Sequence, residues 1–424
     1  MNRTTGTPRL ALIAAAQHAL GIDALVAHAM HQPIAEPVPA DDAFFIASKG
    51  SWRVALRSLK RSAELTISGQ RSRLRQHIEP NWTRVLWIHA EAPQIGDALM
   101  DLAPRSLLIE HGLVLDLLAA PAVADLFRGD RAFGRVFSKA SAVQESHYDL
   151  VIVDSHSRKA VAAKRESAPG LPWVSIREAY LGYDFQRGLL ATRRLARLLG
   201  VSLDAEAECR HARQKLLLAD ETGAAMAHKA GGIPISRSAA DRDAGATSEP
   251  CGGDALERNS SLMSNACRIG VAVGGVRAER TYALWPEVLA ALAKHGVRAF
   301  TMLGTVNGRD AANRVIEEIG SGADVVIEDL VGRTTLHEAR NALAACRAVV
   351  CADGGLMHLA LTTSVPVIAL FDSSVDPAWR LPLEAQAVAL RASERDVSLI
   401  RPEEVAHRVL KVLGEAPPIS ACAT

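Results

Sequence analysis

Aromatic residues are scarce, 4% of 424, which leaves little from which to build a base-stacking surface. Charge of one sign is also missing. With 48 basic and 47 acidic residues the net charge is +1, so no basic field draws the chain to nucleic acid. The six cysteines (209, 251, 267, 346, 351 and 422) form no CxxC pair and have no histidine at zinc-ligand spacing. They read as reduced thiols of a cytosolic protein, some of them buried. Long apolar runs are lacking as well. The nearest, "LALIAAAQHALGIDALVAHA" at 10–29, is interrupted by Gln17, His18 and Asp23, so neither a cleaved signal nor a membrane span is expected.

What is present is material for burial: 49% hydrophobic and 22% charged residues over 424 positions, enough for two domains. Residues 1–82 show no βα rhythm and form an N-terminal extension. From 84 onward short apolar runs alternate with helical patterns. "RVLWIH" (84–89), "DLVIVD" (149–154) and "PWVSI" (172–176) read as strands, and "RGLLATRRLARLLG" (187–200) as a basic-faced helix. "IGDALMDLAPRSLLIEH" reads as helix with Pro104 inside it. Residues 220–265, rich in Gly, Ala, Ser and charge, read as a flexible linker or insertion. The rhythm then resumes with strands at 268–273, 297–303, 324–327, 348–351 and 365–371 and helices at about 284–295, 309–319 and 335–346. Such alternation indicates parallel α/β sheets. The expected organisation is two αβ domains, 83–219 and 266–415, facing across a cleft, with a tail at 416–424. Ligands in such sheets bind beyond the carboxyl ends of the strands.

The densest chemistry lies in "VVCADGGLMHLALTTSVPVIALFDSSVDPAW" (349–379). Asp353 falls just past a strand, and Gly354 and Gly355 open a helix that carries Leu356 and His358. A helix start offers N–H groups to a phosphate, and glycine lets the backbone come close. The plainer alternative is a strand–turn–helix with an Asp cap and a surface histidine.

This stretch resembles the D-[ST]-G-x-x-H-x-A…DP signature of glycosyltransferase family 9, the ADP-heptose:lipopolysaccharide heptosyltransferases. "DLVGRTTLHEARNALAACRAVVCADGG" (329–355) is similar to that family's approach to the motif, and "IGDALMDLAPRSLLIEHG" to its first-domain G-D segment. The resemblance covers roughly 84–200 and 267–415. It implies a GT-B fold of two Rossmann-like domains, the nucleotide-sugar donor on the C-terminal one and the acceptor on the N-terminal one. It also implies an inverting single displacement, which needs a base for the acceptor hydroxyl and positive charge for the departing diphosphate.

Asp97 matches the family's base; its plainer role is a helix N-terminal cap. Arg280, in "GGVRAERTYALWPEVLAAL", stands where the family has a Lys, with Arg277 nearby, and an arginine can hold a diphosphate bidentately. The family's Ser or Thr after the motif Asp is replaced by Gly354. Its acidic ribose contact finds only Asp310 as a nearest candidate. The expected donor is an ADP-sugar and the expected acceptor a lipopolysaccharide core or other glycan, in the cytoplasm and with no metal or other cofactor. The N-terminal extension keeps open a protein acceptor such as an autotransporter. The substitutions at 354 and 280 keep open a non-catalytic nucleotide-sugar-binding protein on the same fold.

In the extension, "GSWRVALRSLKRSAELTISGQRSRLRQ" puts Trp52, Leu56 and Leu59 on one helical face and Arg53, Arg57 and Lys60 on the next, followed by Arg71, Arg73 and Arg75. A basic amphipathic helix of this kind suits peripheral contact with the anionic inner membrane. Packing of the helix on the first domain is the competing expectation.

Overall fold

The computed structural model describes residues 16–33, 46, 48–90, 92–182, 185–218, 268–275, 277–320, 325–382 and 385–415. The expected linker at 220–265 and the tail at 416–424 lie outside them. The chain divides into two compact units, one of Met1–Lys215 with Ala378–Glu384, the other of Leu216–Pro377 with Ala385–Thr424.

The first unit is built on a parallel sheet of β1 (Arg84–His89), β2 (Val114–Ala119), β3 (Phe133–Phe137), β4 (Leu150–Val153) and β5 (Trp173–Ser175), in the order β3-β2-β1-β4-β5. β1 is buried along Val85–His89 and β4 throughout, as expected of strands covered on both faces. The second unit holds β6 (Arg268–Ala272), β7 (Ala299–Leu303), β8 (Val326–Asp329), β9 (Ala348–Ala352), β10 (Val367–Phe371) and β11 (Ala387–Arg391), ordered β11-β10-β9-β6-β7-β8. Its core gathers Tyr282, Trp285, Leu289, Phe300, Met302 and Val350, each large side chain contributing about 1.5–3 kcal/mol on burial. In both units the chain starts mid-sheet, winds outward, then crosses back. The topological switch points therefore fall between β1 and β4 and between β6 and β9, where such sheets bind ligands. Two Rossmann-like α/β units are what the sequence reading of a GT-B fold requires.

Pro104 does not lie inside one helix. It separates Ile95–Asp101 from Arg105–Glu110, because a proline in a helix interior removes a hydrogen bond and clashes with the preceding turn. Strands β2, β3 and β11 were not singled out as strands by the apolar-run reading.

The extension joins the first unit through backbone bonds. Arg75 N–H donates to Trp173 O (2.8 Å) and Ile78 N–H to Leu198 O (2.7 Å), and the Trp173 indole donates to Gln70 O at 2.9 Å. Buried Lys164 donates to Gln70 Oε1 and to the Leu171 carbonyl.

Beyond β6, Gly274 has φ +83°, and a Cβ there would lie 2.6 Å from Gly308 Cα. The switch-point loop thus needs glycine for both conformation and approach. Gly274→Ala should lower stability by about 1–3 kcal/mol, read as a shift in the urea unfolding midpoint; an unchanged midpoint would show that the loop gives way freely.

Candidate functional site

In the second unit β9 and β10 are parallel neighbours, with Leu370 registered against Ala352. Asp353 and Asp372 each follow directly on their strand and so emerge side by side. Both are buried. Arg280, in the 3-10 turn Ala278–Arg280 after β6, reaches into this place: its Nη1 is 3.0 Å from Asp353 Oδ2 and its Nε 3.4 Å from Asp372 Oδ2. Burial pushes the Asp372 carboxyl up, but bonds from Ser374 and the Arg280 charge outweigh it and hold it below the usual carboxylate range.

Arg280 and Asp353, expected as separate parts of the donor site, therefore touch. Gly354 and Gly355 lead into the Gly355–Ala360 helix, with no side chain capping it. At six residues it has little macrodipole to offer, so an anion there depends on local N–H groups. Gly354 is extended (φ 177°), and a Cβ there would meet only Ala352 O at 3.8 Å. The fold therefore accommodates the hydroxyl residue that the family carries. Leu356 is half-buried and His358 is buried, which overturns the surface-histidine alternative. Arg277 is exposed and precedes the turn, its carbonyl accepting from Arg280 N–H. Asp310 is exposed in the first turn of Arg309–Ile319. The acidic group built into that region is instead Asp329 at the end of β8, whose carboxylate pairs with Arg309.

In the first unit Asp97 sits in the first turn of Ile95–Asp101 without a side-chain capping bond from residue 94. Its carboxylate lies 2.9 Å from Arg187 Nη1 and keeps 28% of its side-chain surface exposed. Arg187 also grips Asp101, donating from Nε to Oδ1 (2.8 Å) and from Nη2 to Oδ2. Asp101 in turn meets His89 Nε2 at 3.2 Å. His89 ends β1, and Asp154 follows β4 in the adjoining register, its Oδ2 accepting from Ala90 N–H. Burial alone would push Asp101 up, yet Arg187 and Arg177 hold it well below the carboxylate range. Burial disfavours charge on His89, but Asp154 and Asp101 raise its pKa.

The sequence reading found Asp97 and missed His89, Asp101, Asp154, Arg187 and Asp372. A usable signal existed: "RVLWIH", "DLVIVD" and "VIALFD" each end an apolar run on a polar, titratable residue. Among the described residues, His89, Asp101 and Asp154 are the group whose ligand atoms lie within 4.8 Å of one another. Both oxygens of Asp101 are taken by the Arg187 guanidinium, so this donor set is already matched by an internal cation and fits a metal poorly.

Residues 213–404 match the sequence profile of glycosyltransferase family 9 (heptosyltransferase). Lipopolysaccharide heptosyltransferase 2 of Salmonella typhimurium is 32% identical over 111 residues, 25% of this chain and 32% of that protein. Lipooligosaccharide heptosyltransferase 2 of Haemophilus influenzae is 38% identical over 73 residues, 17% of this chain and 21% of that protein. The aligned stretches thus span about a third or less of these relatives. A family 9 glycosyltransferase from Veillonella parvula superposes with TM-score 0.59 at 14% identity, covering 81% of this chain and all of that one. An E. coli heptosyltransferase solved with ADP gives TM-score 0.55 at 18% identity, over 78% of this chain and 100% of that one. Residues 213–404 are thus similar to glycosyltransferase family 9, and the two Rossmann-like units have the GT-B fold.

Two outcomes follow for the Arg187 cluster. Arg187→Met removes the guanidinium that grips both oxygens of buried Asp101 and should cost about 3–5 kcal/mol of stability; Asp97→Asn, which leaves that grip intact, should cost far less, and equal losses would refute the anchoring role. For pH, a raised His89 pKa means its contribution is full below about 6.5 and fades as pH rises through the folded value. A depressed Asp101 pKa means its contribution is lost only on strong acidification. His89→Gln should therefore fall furthest behind the native chain near pH ~6 and least near pH ~9 in urea midpoints. A gap that stays flat would contradict this.

Proposed function

We propose that the chain is an inverting glycosyltransferase that moves a heptose from ADP-heptose to a lipopolysaccharide core or other glycan acceptor, without a metal. The observation that carries it is Asp97: a partly exposed carboxylate at a helix start, held in place by a buried arginine, in the position that matches the family's base. In the single displacement, the acceptor oxygen attacks the anomeric carbon from the face opposite the diphosphate. The new C–O bond forms as the bond to the diphosphate breaks. The hydroxyl proton passes to Asp97, and ADP leaves with the bonding pair. Arg187 serves by fixing the carboxylate's direction, since orientation governs such transfers.

On the donor side, Arg280 with Arg277 and the 354–356 turn would receive the diphosphate, Asp353 ordering the turn and His358 bracing it from within. The names of the relatives support the sugar and the acceptor class. Two of Arg280's donors already face Asp353 and Asp372, so diphosphate binding rests on the remaining ones. That same pairing favours the second reading, a nucleotide-sugar-binding protein without turnover.

Calorimetric titration with ADP, UDP and GDP separates the readings when followed by an ADP-heptose assay. Selective ADP binding, weakened about tenfold or more by Arg280→Ala as expected of a charge-assisted contact, would place the donor at this turn. Turnover that falls about 10²–10⁴-fold in Asp97→Asn with ADP affinity kept, and that survives chelation by EDTA, would establish the metal-free transferase. ADP binding without turnover would establish the binder. Failure to bind any of the three nucleotides would end both.

A further inference from the structure

The Ser51–Ile67 helix of the N-terminal extension has two apolar faces. One is buried, through Val54, Ala55, Ser58 and Leu65: Val54 and Ala55 pack with Ile22, Val26 and Ala29 of the Ile22–Met30 helix, and Leu65 joins the core around Ile88 and Trp173. The other carries Trp52, Leu56 and Leu59, each 50% exposed, and Ile67, 87% exposed. At 100° per residue these four fall within one arc of about 80°, roughly opposite the buried face. Packing on the first unit, the competing expectation, thus explains one face and leaves the larger side chains in water.

Along one border of the outer stripe run Arg53, Arg57 and Lys60, all exposed, and none makes an ion pair with a described residue. The nearest acidic residue on that border, Glu64, faces Arg165 at 3.7 Å. Arg71 and Arg73, exposed in the turn that follows, continue the positive edge. In a chain whose net charge is +1, this is a local concentration of cation beside exposed Trp and Leu. A tryptophan with aliphatic neighbours suits the headgroup–acyl boundary, and the bordering cations suit anionic headgroups. A second copy of the chain fits worse: two such helices laid face to face would bring their arginines and lysines together with no acidic row to meet them.

We propose that this outer face of the Ser51–Ile67 helix docks the protein on an anionic phospholipid bilayer, lying in the interface plane. No helix among the described residues is long and apolar enough to cross a membrane, so the contact is peripheral. The inference stands apart from the catalytic reading and would survive its failure.

The test is flotation of the full chain with vesicles of phosphatidylcholine alone and with roughly one-quarter phosphatidylglycerol added. Binding is expected only to the anionic vesicles, and weaker at roughly 0.5 M salt. Arg57→Glu/Lys60→Glu should reduce partitioning about tenfold or more, and Leu56→Ser/Leu59→Ser should abolish it. Circular dichroism should be unchanged in both variants, because the substituted positions face outward. A blue shift of tryptophan emission on binding should disappear in Trp52→Phe. Equal binding to neutral vesicles, no binding at all, or binding indifferent to these substitutions would overturn the proposal. So would a dimer in sedimentation that the Leu56→Ser/Leu59→Ser variant dissolves while no vesicle is bound, since that face would then belong to a second copy.

Discussion

Carboxylates brought together in a buried place at the end of a parallel sheet cannot all keep their charge without a cation among them. Both units meet this constraint in the same way. At the β1/β4 switch point Asp154 and Asp101 come together and Arg187 enters from the start of a later helix. At the β9/β10 edge Asp353 and Asp372 come together and Arg280 enters from the turn after β6. In each case the arginine arrives from a separate element, so the sheet's geometry and a distant piece of chain must form together. The candidate functional residues are members of these charge clusters or their immediate neighbours.

The arrangement has a functional logic. Asp97 stands in the first turn of a helix and pairs with Arg187, whose other donors are held by Asp101. A carboxylate fixed by a guanidinium that is itself fixed by a buried carboxylate has little rotational freedom. On the proposed reading of Asp97 as the base, its ordering is completed during folding. His89 and Arg177 also lie against Asp101, and the lowered pKa of that carboxyl favours its charged form.

Most of the βα framework was legible in the sequence because parallel strands buried on both faces write themselves as unbroken apolar runs: "RVLWIH", "DLVIVD" and "VPVIALF" need no further context. β3 was not, because "FGRVF" is only half buried, and an arginine and a glycine dilute its pattern. β11 is similar, partly exposed along its length. Members of the charge clusters were legible where a motif carried them, at Asp97, Asp353 and Arg280. They were illegible where tertiary contact made them. "RGLLATRRLARLLG" reads as a helix with a basic solvent face, yet its first residue, Arg187, is buried against two aspartates, and nothing local to 187 announces partners at 97 and 101. The Ser51–Ile67 helix was legible in pattern and not in orientation, since periodicity shows that an apolar stripe exists but cannot say whether that stripe or its opposite turns inward.

An arginine at 280 suits what this side chain has to hold. Its Nη1 addresses Asp353 and its Nε addresses Asp372, two carboxylates fixed by neighbouring strands at different bearings. A lysine ammonium is a single point charge on a flexible stem and could face one of them closely or both poorly. A guanidinium spreads its charge over a rigid plane and lies within ion-pair distance of both at once. Where Asp372 follows β10, arginine is the residue that neutralises the pair, and the two positions are coupled: restoring lysine at 280 without also removing the Asp372 charge leaves a buried carboxylate exposed to the cost that the arginine now offsets. Gly354 carries no such coupling, because space for a larger residue exists there already. Of the two positions, 280 is constrained by its buried partners and 354 is not.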